Sequence, residues 1–472
     1  MSNRKLLLNG AWEEGEQAAE VRAPWDGRVV SRVAQASPEQ IERALATAYA
    51  ARQRIGERPT GERRAVLFGI VERLKRRQDE LIESIVHEAG KPRKAAAVEV
   101  ARAIETFTLA ASVLPYFGGR TLPVDLSATS AGYECETRRF PAGVVVGIVP
   151  FNFPLNLGAH KVAPALAVGA PIIVKPPPQA PSAQLLLGEI ALEAGADPAA
   201  LHVLPCSNAN AERLATDPRV RVLSFTGSAK VGWQLKAKAR AKAVLELGGN
   251  AAVIVCEDAN LDAAAERCAL GAFNYAGQVC IKVQRVLAHE RIHDAFMEKL
   301  VSATRALGVG DPAREDTLVG PVIDDGAAGR ISEWIDEAVA AGARRVLGGA
   351  RQGRVIPPTI LSDVPVDAKV SREEVFGPVV VVSRYRDFDT AIDAVNDSVY
   401  GLQTGVFTRE IGRVRRAFHR LEVGAVMINE YPTFRSDNFP YGGVKSSGLG
   451  REGVLYAMQD FTEERVLVTR IV

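Results

Sequence analysis

The chain has 472 residues, 47% of them hydrophobic and 24% charged, with a formal net charge of +2 at pH 7. Such a length exceeds one ordinary hydrophobic core, so two or three domains are expected. The near-neutral balance gives no electrostatic basis for binding nucleic acid or a membrane surface, and no apolar run approaches the roughly 18 residues of a membrane span.

The start of the chain holds only three consecutive leucines, Leu6 to Leu8, before Asn9. That is too short for a secretory leader. The segment up to about residue 120 reads as mostly helical. Ser37-Pro38-Glu39-Gln40 has the form of a capping box with proline at the first helical position, and Ile41, Ala44, Leu45 and Ala48 follow at helical spacing. Two further helices are expected, one ending near Gly90 and the next near Phe117. Residues 120–142 alternate polar and apolar, which predicts an exposed two- or three-stranded ribbon.

Beyond it, short β-branched runs at 143–149, 171–175, 202–204 and 221–225 alternate with helical segments. A second series occupies 251–255, 285–288, 345–347, 379–384 and 426–429. Alternation of this kind predicts βαβ units and parallel sheets covered on both faces, an α/β fold in two domains that join near Gly248-Gly249. The final run, 464–472, is strand-like, with Val466, Val468 and Ile471 apolar. An exposed apolar strand edge is a liability in a monomer, so pairing between subunits, and a homo-oligomer, is expected.

Chemistry concentrates in three places. Cys280 is one of five cysteines (Cys135, Cys206, Cys256, Cys268, Cys280) that form no CxxC pair. This spacing speaks against a disulfide framework and a structural zinc site, and for a reducing cytoplasm. Glu246 lies between Leu245 and Leu247 at a strand end, where partial desolvation favours a raised pKa and general-base work; a solvated edge carboxylate is the other reading. Asn152 sits between Phe151 and Phe153, bracketed by Pro150 and Pro154, and reads either as an oxyanion donor on a rigid loop or as an Asx-turn residue. A thiol, a carboxylate and an amide donor are the parts of an acyl-transfer site.

The string Gly448-Leu449-Gly450-Arg451-Glu452-Gly453 matches GxGxxG, but too little chain follows it to complete a βαβ unit. Gly442-Gly443 and the glycines after them are expected instead to shape a tight surface segment near the active-site mouth. Better cofactor candidates end the first series of strands. Ser228, at the head of a helix, can hold a pyrophosphate oxygen or simply cap the helix. Lys175 can meet ribose hydroxyls or a 2′-phosphate. No histidine, cysteine or carboxylate spacing suggests a metal.

Taken in order, Pro150-Phe151-Asn152-Phe153-Pro154, Val174-Lys175-Pro176, Phe225-Thr226-Gly227-Ser228, Leu245-Glu246-Leu247-Gly248-Gly249, Gly277-Gln278-Val279-Cys280, Glu374-Val375-Phe376-Gly377-Pro378 and Pro440-Tyr441-Gly442-Gly443 resemble the aldehyde dehydrogenase superfamily over essentially the whole chain. The resemblance implies a Rossmann-like cofactor domain (1–119 and 143–247), an α/β catalytic domain (248–445) and a small β oligomerisation ribbon (120–142 and 456–472), assembled as dimers or tetramers. It implies NAD or NADP as cofactor, contacted by Val149, Pro150, Phe151, Lys175, Pro178, Thr226, Gly227, Ser228, Leu247, Gly248, Glu374 and Phe376. Cys280 would attack a small aldehyde, Asn152 would hold the oxyanion, and Glu246 would activate water to hydrolyse the thioester. Phe153, Val279, Ile281 and Arg435 would face the substrate.

Two departures bear on specificity. Pro178 stands where many NAD-preferring relatives place a glutamate, so NADP should be tolerated. The segments around Lys175, Asn152 and Arg435 look most like the branch of non-phosphorylating glyceraldehyde-3-phosphate, lactaldehyde and phosphonoacetaldehyde dehydrogenases. Val279, however, replaces the arginine that triose-phosphate enzymes place before the catalytic cysteine. A small aldehyde, hydroxylated or anionic, is the expected substrate. A catalytically silent, structural or binding member of the fold would have lost Cys280, Glu246 or Asn152, and all three are present.

Overall fold

A computed structural model describes residues 2–471. The sequence alternation from about residue 143 folds into two separate sheets. In the first, five parallel strands run in the spatial order Lys242–Glu246, Val220–Thr226, Val144–Ile148, Ile172–Lys175, Leu201–Val203. Numbered along the chain this is 5-4-1-2-3, so the winding reverses between Val144–Ile148 and Val220–Thr226. In an open α/β sheet the crevice at the carboxyl ends of such a pair is where ligands bind. Antiparallel strands extend both edges: Gly448–Leu449 beside Lys242–Glu246, and Leu6–Leu8 beside Leu201–Val203.

The second sheet orders Thr359–Ser362, Val379–Tyr385, Arg285–His289, Ala252–Val255, Gln403–Phe407 and Ala425–Ile428 in parallel, with Arg344–Leu347 antiparallel at one edge. Its central strands Ala252–Val255 and Gln403–Phe407 are buried throughout, as a sheet covered on both faces requires. Two of these strands escape the sequence pattern. Thr359–Ser362 is only four residues long, and Gln403–Phe407 opens on buried Gln403 and Thr404 and contains Gly405.

The amino-terminal region is less helical than its composition suggests. Gln17–Arg22 and Val29–Gln35 form an antiparallel pair, with Ser2–Arg4 parallel to the second. The turn at Asp26-Gly27, where Gly27 has φ +74°, carried a hairpin signal that alternation alone did not expose. Helices occupy the rest, at Pro38–Gly56, Thr60–Arg76, Gln78–Ala89 and Arg93–Val113. Gly90 ends the third with φ +62°.

The ribbon is present: Thr121–Leu122 and Tyr133–Pro141 pair antiparallel. The terminal strand Thr462–Arg470 runs along Tyr133–Pro141 of the same chain rather than awaiting another subunit for its first partner. Its other edge pairs with no strand among the described residues, and Val466, Leu467 and Val468 are exposed. Among the described residues no helix is long and apolar enough to cross a membrane.

The capping box forms as its residues dictate. The Ser37 hydroxyl accepts from the Gln40 N–H at 3.2 Å and the Gln40 side chain accepts from the Ser37 N–H at 3.0 Å. Replacing the hydroxyl leaves an orphan amide at the head of a helix that packs Ile41, Ala44, Leu45 and Ala48 into the core. Ser37→Ala is therefore expected to cost about 1 kcal/mol, read as a lower denaturant midpoint; an unchanged midpoint would mean that this cap does not contribute.

Candidate active site

Cys280 stands on a loop that the backbone strains to form. Tyr275, Ala276 and Gly277 have φ of 53°, 52° and 65°, three left-handed residues in succession. Non-glycine residues in that region cost of order 1–3 kcal/mol each and persist only when surroundings over-determine them. Here they do. The Tyr275 N–H donates to Leu318 O at 2.8 Å, its hydroxyl to Ala89 O at 3.2 Å, and the buried Gln278 side chain accepts from the Ile323 N–H at 2.9 Å. Gly277 is obligatory, because a Cβ there would lie 2.4 Å from Gly377 O. The result presents Cys280 partly exposed to a cleft while the other four cysteines are buried.

Asn152 lies on the loop after Val144–Ile148, at the reversal point of the first sheet. One N–H of its amide donates to Gln278 O at 2.9 Å, which ties this loop to the cysteine loop. From behind, the buried Lys91 amine donates to Asn152 O at 2.9 Å and to Glu99 at 2.6 Å, and lies 3.4 Å from the Phe153 ring centroid. The other Glu99 oxygen accepts from the Leu155 and Asn156 N–H groups at 2.8 and 3.1 Å. A buried ion pair thus clamps both sides of the Asn152 turn. Desolvation pushes the Lys91 ammonium down to about 8 against the pull of Glu99.

Glu246, the last residue of Lys242–Glu246, is 4% exposed, and neither carboxyl oxygen has a hydrogen-bond partner among the described residues. Burial, and then the nearby Glu452, raise its pKa well above the carboxylate range. Glu452 goes the other way. Burial opposes its charge, but Arg435 at 2.7 Å and Lys161 at 3.5 Å hold it ionised, at about 2. Two carboxyls in one desolvated site are pushed apart: Glu452 toward its charged, paired form and Glu246 toward its neutral form. Gly442 makes the room, since a Cβ there would come within 2.8 Å of Glu246 Oε1.

The cleft, about 60 Å³, is lined by Phe153, Glu246, Val279, Cys280, Ile281 and Arg435 from the sequence reading, and by Arg102, Thr433 and Tyr441. Arg102 forms a two-pronged pair with Asp437 at 3.0 and 2.6 Å; Asp437 also takes His160 at 2.8 Å. The GxGxxG string reaches the surface at Leu449 and turns inward at both ends. Gly448 pairs with Glu246 across the sheet edge, and Glu452 bridges Tyr441 backbone to backbone at 2.8 and 2.6 Å.

The expected cofactor residues gather at the reversal crevice and the seam beside it. Thr226 ends its strand and accepts from Lys161 at 2.7 Å; the Gly227 N–H donates to Glu246 O at 3.0 Å. Ser228 has capping backbone geometry but its hydroxyl caps nothing, which leaves it free for a ligand. Glu374 accepts from the Gly249 N–H at 3.1 Å, and a Cβ on Gly248 would sit 2.2 Å from it. Burial raises Glu374 to about 7. Phe151 and Phe376 meet edge to face at 5.9 Å, with Phe376 at φ +47°. A neighbouring cavity of about 350 Å³ is lined by Lys175, Asn208, Phe225 and Lys238. Pro178 is exposed. An exposed hydroxyl that caps nothing at a helix head, a buried lysine and a glutamate beside two glycines fit a dinucleotide.

Sequence reasoning missed Arg102, Lys161, Asp437, Tyr441, Glu452 and the Lys91–Glu99 pair. Lys161 had a signal: with His160 it interrupts Asn156–Val168, a helix otherwise apolar enough to be wholly buried. Removing the Lys91 amine strands a buried carboxylate, so Lys91→Met is expected to cost about 3–5 kcal/mol in denaturant unfolding. The double variant with Glu99→Gln should recover most of that loss; equal instability of both would contradict the clamp.

The likeness to known proteins is extensive. A sequence model of the aldehyde dehydrogenase family matches residues 12–467. The chain is 40% identical over 468 residues to the 3-sulfolactaldehyde dehydrogenase of Priestia aryabhattai, covering 99% of this chain and 98% of that protein. The crystal structure of aldehyde dehydrogenase 21 from Physcomitrella patens, in complex with the reaction product succinate, is 41% identical, with a TM-score of 0.97 over 100% of this chain and 99% of that one. An NADP-dependent glyceraldehyde-3-phosphate dehydrogenase from Bacillus halodurans C-125, complexed with NADP, is 34% identical with a TM-score of 0.97 over 100% of both chains. With a thiol, a buried glutamate and a dinucleotide crevice converging on one seam, and a match along nearly its whole length, this chain belongs to the aldehyde dehydrogenase family.

Proposed function

We propose that the protein oxidises a small anionic aldehyde to its carboxylic acid, with Cys280 as nucleophile and NAD or NADP as acceptor. The observation that carries this reading is the meeting, in one narrow cleft, of the Cys280 thiol with a buried Glu246 whose carboxyl has no hydrogen-bond partner among the described residues. Ser228 and the helix amides behind it would take the pyrophosphate, Lys175 the adenosine ribose, and Glu374 the nicotinamide ribose. Val149, Pro150, Phe151, Thr226, Gly227, Leu247, Gly248 and Phe376 would wall the crevice. Bound there, the dinucleotide supplies the hydride acceptor. On the neighbouring cavity Lys238 is paired with Glu212 at 2.6 Å, which leaves buried Lys175, with uncharged Pro178, to favour acceptance of a 2′-phosphate.

The Cys280 thiol gives its proton to water, the thiolate sulfur attacks the aldehyde carbon, and the carbonyl oxygen takes the negative charge. The Cys280 N–H, which donates to no protein acceptor among the described residues, and the second N–H of Asn152 hold that oxygen. Loss of hydride from the carbon leaves a thioester on sulfur. Glu246, once ionised, takes a proton from water as the water oxygen attacks. The C–S bond breaks, its electron pair returns to sulfur, and the acid departs.

The charge around the cleft supports an anionic substrate. Arg102 and Arg435 line the cleft; Asp437 and Glu452 pair with them, but the buried Arg435 Nε keeps no hydrogen-bond partner among the described residues, and burial biases Glu246 toward its neutral form. The names of the relatives agree in kind: a sulfonate, a carboxylate and a phosphate accompany their aldehydes or products. The open edge of Thr462–Arg470 supports a homodimer or homotetramer built on the ribbon 120–142 and 456–472, beside a cofactor unit (1–119 and 143–247) and a catalytic unit (248–445). Five unpaired thiols suit a reducing cytoplasm.

Because Glu246 acts only when ionised and burial raises its pKa well above the carboxylate range, the deacylation rate should rise with pH at values displaced upward from an ordinary glutamate titration. Glu246→Gln is expected to keep a stoichiometric burst of NAD(P)H, lose steady turnover and lose that rise with pH. An unchanged steady rate would remove Glu246 from this role. For the substrate, Arg102→Leu should raise KM about tenfold for sulfoacetaldehyde and leave propionaldehyde little changed, since a lost charged hydrogen bond is worth a factor of that order. Equal effects on both aldehydes would contradict anion recognition.

A further inference from the structure

Tyr441 reaches the reacting sulfur. Its hydroxyl lies 3.0 Å from Cys280 Sγ, which is its one hydrogen-bond partner among the described residues. The ring is 3% exposed and cannot turn to water. Two constraints fix it. The antiparallel bridge to Glu452 holds its backbone, and the Arg435 guanidinium lies on the ring face, 3.9 Å from the centroid. Arg435 is itself held by Glu452, so the ring is gripped through both its backbone and its face.

Either oxygen or sulfur can donate in the resting pair, but a thiolate has no proton to give. Once Cys280 ionises, only the tyrosine can donate, and the bond becomes charge-assisted and stronger. A hydrogen bond that strengthens in the charged form favours that form. The neighbourhood makes this matter. Burial pushes the Cys280 thiol up to about 12, and no lysine, arginine or histidine is in hydrogen-bond contact with Sγ among the described residues. The positive face of Arg435 on the ring opposes the upward drift of the phenol and sharpens it as a donor.

We propose that Tyr441 is a catalytic residue whose hydroxyl donates a hydrogen bond to the Cys280 thiolate, stabilising it before attack on the aldehyde and again as it leaves the thioester. No proton is transferred: when the C–S bond breaks, its electron pair comes to rest on a sulfur already facing the hydroxyl. Phenylalanine would keep the ring, its packing and its contact with Arg435, and lose only this bond. The proposal rests on Cys280 being the nucleophile, and the test separates the two.

The experiment follows iodoacetamide alkylation of Cys280 against pH in the holoenzyme and in Tyr441→Phe, with peptide mass analysis to count label on Cys280. Loss of aldehyde oxidation in step with labelling tests the nucleophile itself. For Tyr441, the expected result is an alkaline shift of the alkylation midpoint by about one unit, hence about tenfold slower labelling and a slower NAD(P)H burst at neutral pH, with KM for the dinucleotide unchanged. A midpoint that stays put or moves to lower pH overturns the proposal, because a tyrosine that merely packs would not move the midpoint alkaline. Should Tyr441→Phe fail to fold, 3-fluorotyrosine placed at 441 makes a stronger donor. The midpoint must then fall, and an unmoved midpoint overturns the proposal equally.

Discussion

The carboxylate of Glu452 is the point on which the site is built. It is buried and ionised, bonded to Arg435 at 2.7 Å and close to Lys161 at 3.5 Å. Stranding it without those cations would cost several kcal/mol, so the three groups stand or fall together. Three consequences follow. Its charge helps keep the proton on Glu246, its backbone bridge places Tyr441, and its grip on Arg435 aims one side of the guanidinium at the tyrosine ring and the cleft. A residue with no direct part in bond making thereby shapes the surroundings of those assigned one.

The fold brings these pieces together through a shared seam. Glu246 closes the first sheet and Ala252–Val255 opens the second, so the short link between them passes the cleft. The loop of Asn152 leaves the first sheet where its winding reverses, and the loop of Cys280 arrives from the second. The bond from Asn152 to Gln278 O joins the two. Strained backbone at Tyr275 and Ala276 is tolerated because hydrogen bonds to Leu318, Ala89 and Ile323 anchor the turn from outside it. Such strain fixes the thiol in place rather than leaving it on a mobile tip.

Much of this was legible in the amino-acid order, and the reasons divide cleanly. Local chemistry was readable: the Ser37 capping box, the β-branched runs, and Glu246 between leucines all obey rules that operate over a few residues. Alternation also found the ribbon, since Tyr133–Pro141 and the terminal strand carry their own pattern. Strands that depend on tertiary burial were not readable. Gln403 and Thr404 are polar yet buried, and their strand status comes from the neighbours on either side. The amino-terminal strands were hidden because Asp26-Gly27 signals a turn only when the flanking runs are weighed as a pair.

Within the site, Glu246 and Cys280, identified from motifs, line the cleft, with Asn152 buried behind it and bonded to the cysteine loop, while the charge network around them was invisible. Arg102 and Asp437 are 335 positions apart, and Lys91 meets the Asn152 turn across 61. No local spacing encodes such pairs. The string 448–453 is followed by a short helix and an antiparallel ribbon strand, not by the parallel crossover that a nucleotide fingerprint needs. Its role as an edge strand that carries an ionised carboxylate into the site needed the pairing of Gly448 with Glu246 to be seen. Placement of Tyr441 on sulfur has the same origin.

The account stands or falls on where the acyl group resides during turnover. Rapid acid quench of the enzyme during the first turnover with NADP and sulfoacetaldehyde, followed by peptide mass analysis, reads this directly. The account predicts an acyl adduct, at the oxidation level of the acid, on the peptide containing Cys280 and in step with NADPH formation. NADPH formed with no adduct on Cys280, or with the adduct on another residue, would contradict it.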